Sequence, residues 1–240
     1  MHSKNKFEKN KYLDLSISSQ SDQFKNSELD LLKLISNQSD GLTENVLVGE
    51  LIQVFCPNQM VSQLSASPTS FSGINAIDAL VYQAVANWKK INSFRDYLTP
   101  FNDNDRSLGG DSYGSHATTN TQFQLLLIKA MISAVQVNII DNDQELMKLE
   151  ERWQLCGLPI EIKTLIADLM QQEINFESFF HEARHTIQKS ELYLVSYICL
   201  DSSKASSIFY LEQLADVLAL PEELIQELEW QIHMSVNEAA

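Results

Sequence analysis

Apolar residues along this chain recur three and four positions apart, the spacing of a helix face, and no stretch sustains the alternation of a half-buried strand. Residues 1–26 lack the pattern. They are rich in Lys, Asn, Ser, Gln and Asp, and so few large apolar groups do not offset the entropy of ordering, so a disordered polar tail is expected. Ser27 is placed to cap a helix carrying Leu29, Leu31, Leu32, Leu34 and Ile35. A second helix is predicted after Thr43, with Val46, Leu47, Leu51, Val54 and Phe55, stopping before Pro57. Residues 57–73, with Pro, Ser and Gly, read as a loop. From Ile74 to Leu98 the residues Ile77, Leu80, Val81, Ala84, Val85 and Trp88 keep helical register, which predicts a buried packing helix. Residues 99–122 are polar, include Asn102-Asp103-Asn104-Asp105 and Gly109-Gly110, and read as a linker. The expected organisation is an N-terminal helical region over 27–98, that linker, and a main helical domain over 123–240.

The main domain opens on a stripe of Phe123, Leu126, Leu127, Ala130, Met131, Ala134 and Val137, ending near Asn138. Asp141-Asn142-Asp143 is placed to cap the next helix. Its buried side is read as Leu146, Leu149, Trp153 and Leu155, with Gly157 as its stop. Pro159 starts a helix with Ile162, Leu165, Ile166 and Leu169. A short helix is predicted over about 176–188 and a strongly apolar one from about 190 to 200, broken by Asp201-Ser202-Ser203. Then the text repeats. Leu149-Glu150 through Gly157-Leu158-Pro159-Ile160-Glu161 returns 62 positions later as Leu211-Glu212 through Ala219-Leu220-Pro221-Glu222-Glu223. Each copy is an amphipathic run, a small residue, Leu-Pro and a second run, because Pro is tolerated in a first helical turn and not in an interior. The repeat puts Trp153 and Ala215 at matching positions. The fold class is all-α, with two related helical hairpins in its second half.

Composition sharpens this in two respects. Seven Gly and five Pro favour long helices over turn-rich sheet, and 44% hydrophobic content supplies a core. The net charge of −15 is uneven: residues 1–140 hold 13 acids and 11 bases, residues 141–240 hold 19 and 6. An acidic second half repels phosphate backbones and anionic headgroups, so no nucleic acid is expected as a partner. Cys56, Cys156 and Cys199 are odd in number and far apart, and read as reduced thiols on apolar faces. Lys4, Lys6, Lys9 and Lys11 lead into polar sequence instead of an apolar signal core. No stretch approaches the roughly 20 apolar residues of a spanning helix. A soluble protein is expected.

Several of these runs are similar to a known family. Ala130-Met131-Ile132-Ser133-Ala134, Leu192-Tyr193-Leu194-Val195-Ser196 leading to Leu200-Asp201, Tyr210-Leu211-Glu212-Gln213-Leu214-Ala215 and Leu220-Pro221-Glu222-Glu223-Leu224 resemble the YebE-like family. So does Leu80-Val81-Tyr82-Gln83-Ala84-Val85-Ala86-Asn87-Trp88 upstream. That bacterial family of unknown function sits within the tellurite-resistance TerB-like superfamily. The resemblance implies a TerB-like helical domain of two pseudo-repeated units with no established enzymatic activity. It also implies inner-membrane association through an apolar segment ahead of the aromatic helix; here that segment, Leu64 to Ile74, is polar and short. Relatives in the superfamily place an Asp linked to cation binding after the first repeat helix. This chain has Asn138 there and keeps the matching acid of the second unit, Asp201.

Two constellations bear on chemistry. Asp141, Asp143, Glu145 and Asp201 could converge at related helix starts and hold a divalent cation, whose coordination needs several oxygens. The run is not an EF-hand, since Leu146 stands where that loop needs Gly and Arg152 where it needs Glu. Capping explains the same acids more simply. The second constellation, His181-Glu182-Ala183-Arg184-His185, has the spacing with which zinc hydrolases bring two imidazoles to one ion. On a helix, however, both histidines fall opposite the stripe of Phe176, Phe180, Ala183 and Ile187, toward solvent. No phosphate loop or nucleophile elbow is present. The expectation is a non-enzymatic binding or scaffold module with no cofactor beyond that candidate divalent cation and an unidentified protein partner. It is expected in the cytoplasm or at the periphery of the inner membrane. The alternatives are a zinc-dependent hydrolase on His181, Glu182 and His185, or a cation-responsive module.

Overall fold

The computed structural model describes residues 29–33, 44–56, 73–96, 121–139, 143–171, 183 and 185–238, and among them all regular structure is helical. The helices are α1 (Glu44–Phe55), α2 (Gly73–Asp96), α3 (Thr121–Ile139), α4 (Asp143–Leu155), α5 (Ile160–Met170), α6 (Thr186–Cys199), α7 (Ala205–Leu218) and α8 (Glu222–Glu238). Residues 29–33 add a helical turn that buries Leu31. The expected tail over 1–26 lies outside the described residues, as do almost all of the loop and the linker.

Two helices form the centre. Residues 123–128 and 130–135 of α3 are all buried, and so is every residue of α6 from Ser190 to Cys199. A helix that is apolar all round belongs in a core, and these two pack side by side. The others each commit one stripe. Helix α2 buries Ile77, Val81, Ala84 and Val85, while α8 buries Leu224, Leu228 and Ile232 at strict four-residue spacing. Helix α7 turns Tyr210, Leu211, Leu214 and Leu218 inward. Helix α2 lies against α6 and α8, and α1 lies against α2 and α3. The N-terminal helices therefore share one continuous core with the helices after residue 121.

The helix boundaries carry the 62-residue offset read in the sequence. Helices α4 and α7 begin at residues 143 and 205, and α5 and α8 begin at 160 and 222. At both corners the proline precedes the new helix, and its carbonyl accepts the first intrahelical bond, from Lys163 N to Pro159 O at 3.0 Å and from Ile225 N to Pro221 O at 3.1 Å.

Three local expectations need correction. Leu155 is 86% exposed. At ~100° per residue it lies roughly 120–160° from Leu149 and Trp153, off the stripe it was assigned to. The helix expected over 176–188 does not run through its end, for Ala183 is non-helical and His185 is the extended N-cap of α6. Helix α6 thus begins at Thr186, ahead of the expected start near 190. Gly157 does not take the left-handed conformation expected of a glycine stop; at the second corner Ala219 does, with φ 50°.

Candidate functional site

Asp78 interrupts the apolar stripe of α2, and Glu191 stands in the run of buried residues that makes α6. Packing α2 on α6 brings the two carboxyl groups together. Glu191 has no exposed surface and Asp78 is half-buried. Asp78 Oδ1 and both carboxyl oxygens of Glu191 are buried without a hydrogen-bond donor. Two carboxylates supply no donor to each other, so a proton held between them is the simplest way to satisfy the contact. Burial pushes the Asp78 carboxyl up to about 6, against the hydrogen bond from Glu191 that lowers it. Glu191 is pushed well above the usual carboxylate range, first by burial and then by the charge and hydrogen bond of Asp78. Tyr82, one turn along α2, feels the same pair, since burial, Glu191 and Asp78 all raise its phenol.

A polar seam continues from this pair along the α6–α8 contact. Tyr193 donates to Glu229 at 2.7 Å, and Tyr197 lies 3.2 Å from Nε2 of His233 with the rings edge-on. Burial and then the Glu229 carboxylate push the Tyr193 phenol far up, so it stays a donor. Asn87 of α2 donates to Glu227 of α8 at 2.7 Å. Polar contacts of this kind fix the register of helices that apolar packing alone would let slide. Such a seam organises a core. A general acid or base would have to reach a substrate, and Glu191 touches no solvent.

The expected cation site is assembled differently. Asn138, buried at the end of α3, donates through Nδ2 to Cys199 O at 2.5 Å and accepts at Oδ1 from Asp201 N at 3.1 Å. Its side chain ties together the C-terminal ends of the two central helices. Asp201 Oδ1 accepts from Ser203 Oγ at 2.6 Å and from Ser203 N at 3.1 Å, an Asx turn that holds its carboxyl below the usual range. The Lys204 ammonium donates to Asn138 O at 3.3 Å, and its charge helps hold the Asp201 carboxyl down. Glu145 pairs with Lys148 at 2.9 Å on α4. Asp143 opens α4, and Asp141 lies outside the described residues. Among the described residues no three acids, histidines or cysteines gather as a metal centre.

His181 and Glu182 also lie outside the described residues, while His185 is exposed and sits before the first turn of α6. Neither Asp78 nor Glu191 is among the candidate site residues read from the sequence. Both signals were legible as acids on strongly apolar faces, but their meeting depends on how α2 crosses α6.

Taken together, these features describe an all-helical protein whose polar residues serve helix-to-helix contacts inside a single core. The chain belongs to the family described as "Protein of unknown function (DUF533)", which matches residues 41–232. That span starts ahead of α1 and ends within α8, so it takes in the N-terminal helices as well as both hairpins. No curated protein and no solved structure matches the chain.

Proposed function

We propose that this protein is a non-enzymatic binding module, a TerB-like pair of helical units of the YebE-like kind, whose helices α7 and α8 take a basic amphipathic segment of a partner protein. One observation carries the reading. Phe209 on α7 is 61% and Trp230 on α8 50% exposed, and the stretch from residue 205 to the end holds seven acids and no Lys or Arg. Large exposed aromatics within an acidic field complement a segment with apolar anchors and positive flanks. The 62-residue recurrence of helix boundaries supports the two-unit reading, and the break in helix before Thr186 supports a binding role over a zinc hydrolase. Against the expectation that no stretch approaches spanning length, helix α3 is the one described helix long and apolar enough to cross a membrane; 72% of its most apolar window is buried among its neighbours, which supports a core helix over a membrane span.

The test is titration of the full chain with a helical Lys/Leu amphipathic peptide and with its Glu/Leu counterpart. Saturable binding of the basic peptide should weaken with salt and be lost in Phe209→Ser/Trp230→Ser. Equal binding of both peptides, or binding unchanged in the double variant, would overturn the reading. A parallel titration with and without divalent cations separates it from a cation-responsive module.

A further inference from the structure

Cys56 directly follows α1 and Cys199 ends α6. They are 143 residues apart in sequence, yet their sulfur atoms lie 3.8 Å from each other. We propose that Cys56 and Cys199 are a peroxide-oxidisable dithiol whose disulfide fastens α1 to the central helix α6.

Three features beyond proximity support it. First, the surroundings hold both backbones in place. Arg152 donates to the Cys56 carbonyl, and Asn138 donates to the Cys199 carbonyl at 2.5 Å. Second, a small recess lies on the side of the cysteine carbonyls, with neither cysteine in its lining. It is lined by Phe55, which precedes Cys56, by Glu145, and by the same Asn138 and Arg152 that bond the two cysteine carbonyls. Its size is that of about one water. Third, the two thiols are unequal. Cys56 is 5% exposed and Cys199 is 0% exposed. Burial, then the hydrogen bond and charge of Cys56, push the Cys199 thiol up, against the opposing charge of Arg152. In the proposal Cys56, the less buried of the two, is the sulfur that meets the oxidant, and Cys199 is the resolving thiol. The third cysteine is apart from this arrangement, with Cys156 Sγ donating to Trp153 O at 3.0 Å.

The chemistry balances with hydrogen peroxide as oxidant. The Cys56 thiolate attacks one peroxide oxygen, the S–O bond forms as the O–O bond breaks, and the departing hydroxide leaves as water with the proton Cys56 gave up. Peroxide is reduced and Cys56 becomes a sulfenic acid. The Cys199 sulfur then attacks the Cys56 sulfur, forming S–S as S–O breaks, and the second hydroxide leaves as water with the Cys199 proton. Two thiols and one peroxide give one disulfide and two waters. The sulfurs must close to ~2.05 Å, a movement that side-chain rotation and a small shift at the end of α1 can supply.

The experiment uses the full-length reduced Cys156→Ser protein, folded by circular dichroism. It is treated with hydrogen peroxide at neutral pH, quenched, denatured, alkylated and analysed by mass spectrometry and non-reducing electrophoresis. Expected is an intramolecular link between the Cys56 and Cys199 peptides, loss of both free thiols, and recovery of both with dithiothreitol. Neither Cys56→Ser nor Cys199→Ser on that background should form it. Wild-type protein, which needs no substitution to fold, should give the same link while Cys156 remains alkylatable. The proposal is overturned if both thiols stay alkylatable after peroxide. It also fails if the link forms only in denaturant, or if Cys156 takes the place of Cys199.

Discussion

Ala219 holds the left-handed backbone that Gly157, its counterpart 62 residues earlier, does not adopt. The Ala219 amide bonds to Asp216 O at 3.0 Å and the Leu220 amide to Ala215 O at 3.1 Å, so α7 closes in a tight left-handed cap. A Cβ in that conformation crowds the following carbonyl and costs ~1–2 kcal/mol. At the first corner a Cβ added to Gly157 meets nothing within 4 Å. The two small residues are thus on the less favourable sides of the repeat. Ala219→Gly should stabilise by ~0.5–1 kcal/mol, the relieved strain less the extra freedom of glycine in the unfolded chain. Gly157→Ala should stabilise by ~0.4–1 kcal/mol through the unfolded state alone. Urea unfolding of the two variants measures this, and a loss of stability in Ala219→Gly would contradict the strain.

The Asp78–Glu191 contact makes stability depend on pH in a stated direction. Both carboxyls are raised in the folded protein, Asp78 to about 6 and Glu191 well above its ordinary value, each first by burial. Below the unfolded carboxylate values, ~4, both states bind the protons and the pair is fully stabilising. As pH rises the unfolded chain releases them first while the folded chain retains them, so stability falls through pH 4–6 and beyond. The cost reaches the order of 1–3 kcal/mol at neutral pH. Glu191→Gln supplies a permanent donor to Asp78 and should flatten this profile while raising neutral-pH stability. Denaturant unfolding between pH 4 and 8 is the check; a wild-type curve that rises with pH over that window, with no contribution removed by the substitution, would exclude a shared proton.

Trp153 and Leu155, two residues apart on α4, should respond in opposite ways to truncation. Trp153 packs on the core and stacks on Phe55, with ring centres 6.0 Å apart and planes 10° from parallel. Trp153→Ala should cost ~2–4 kcal/mol, toward the lower end for aromatics because the ring is partly exposed. Leu155→Ala should change stability by less than ~0.5 kcal/mol. Equal losses from both would mean that α4 is rotated from the orientation described.

Where the sequence was read through spacing alone it located the helices to within a few residues. The stripes of α2, α3 and α8 and the two Leu-Pro corners are local signals, set by 3.6-residue periodicity and by the chemistry of proline. Leu155 was misplaced by taking hydrophobicity without its angle. The start of α6 was misplaced because the apolar run from Leu192 is denser than the amphipathic turn before it. What the sequence could not carry is any property of two helices at once. That Asp78 meets Glu191, that Cys56 meets Cys199, and that Asn138 spans from α3 to Cys199 and Asp201 all depend on crossing geometry, which no single-helix pattern encodes.

The same limit bears on the division of the chain. A polar stretch ahead of Thr121 predicts that the later helices fold alone, but α1 and α2 lie on α3, α6 and α8 and bury Leu47, Val48, Leu51, Ile77, Val81 and Val85 in the common core. Removing them uncovers the faces of three helices and leaves Glu191 and Glu227 without Asp78 and Asn87. An apolar face opened to water forfeits ~25 cal/mol for each Å² that α1 and α2 covered, a large share of the few kcal/mol that hold most domains folded. A fragment over 119–240 should therefore stay helical by circular dichroism yet bind a hydrophobic dye strongly and unfold without a sharp transition. A fragment over 41–240 should unfold in one cooperative step. If the shorter fragment matches the longer in cooperativity and dye binding, the core divides at residue 121 and α1 and α2 are an attachment to a self-sufficient unit.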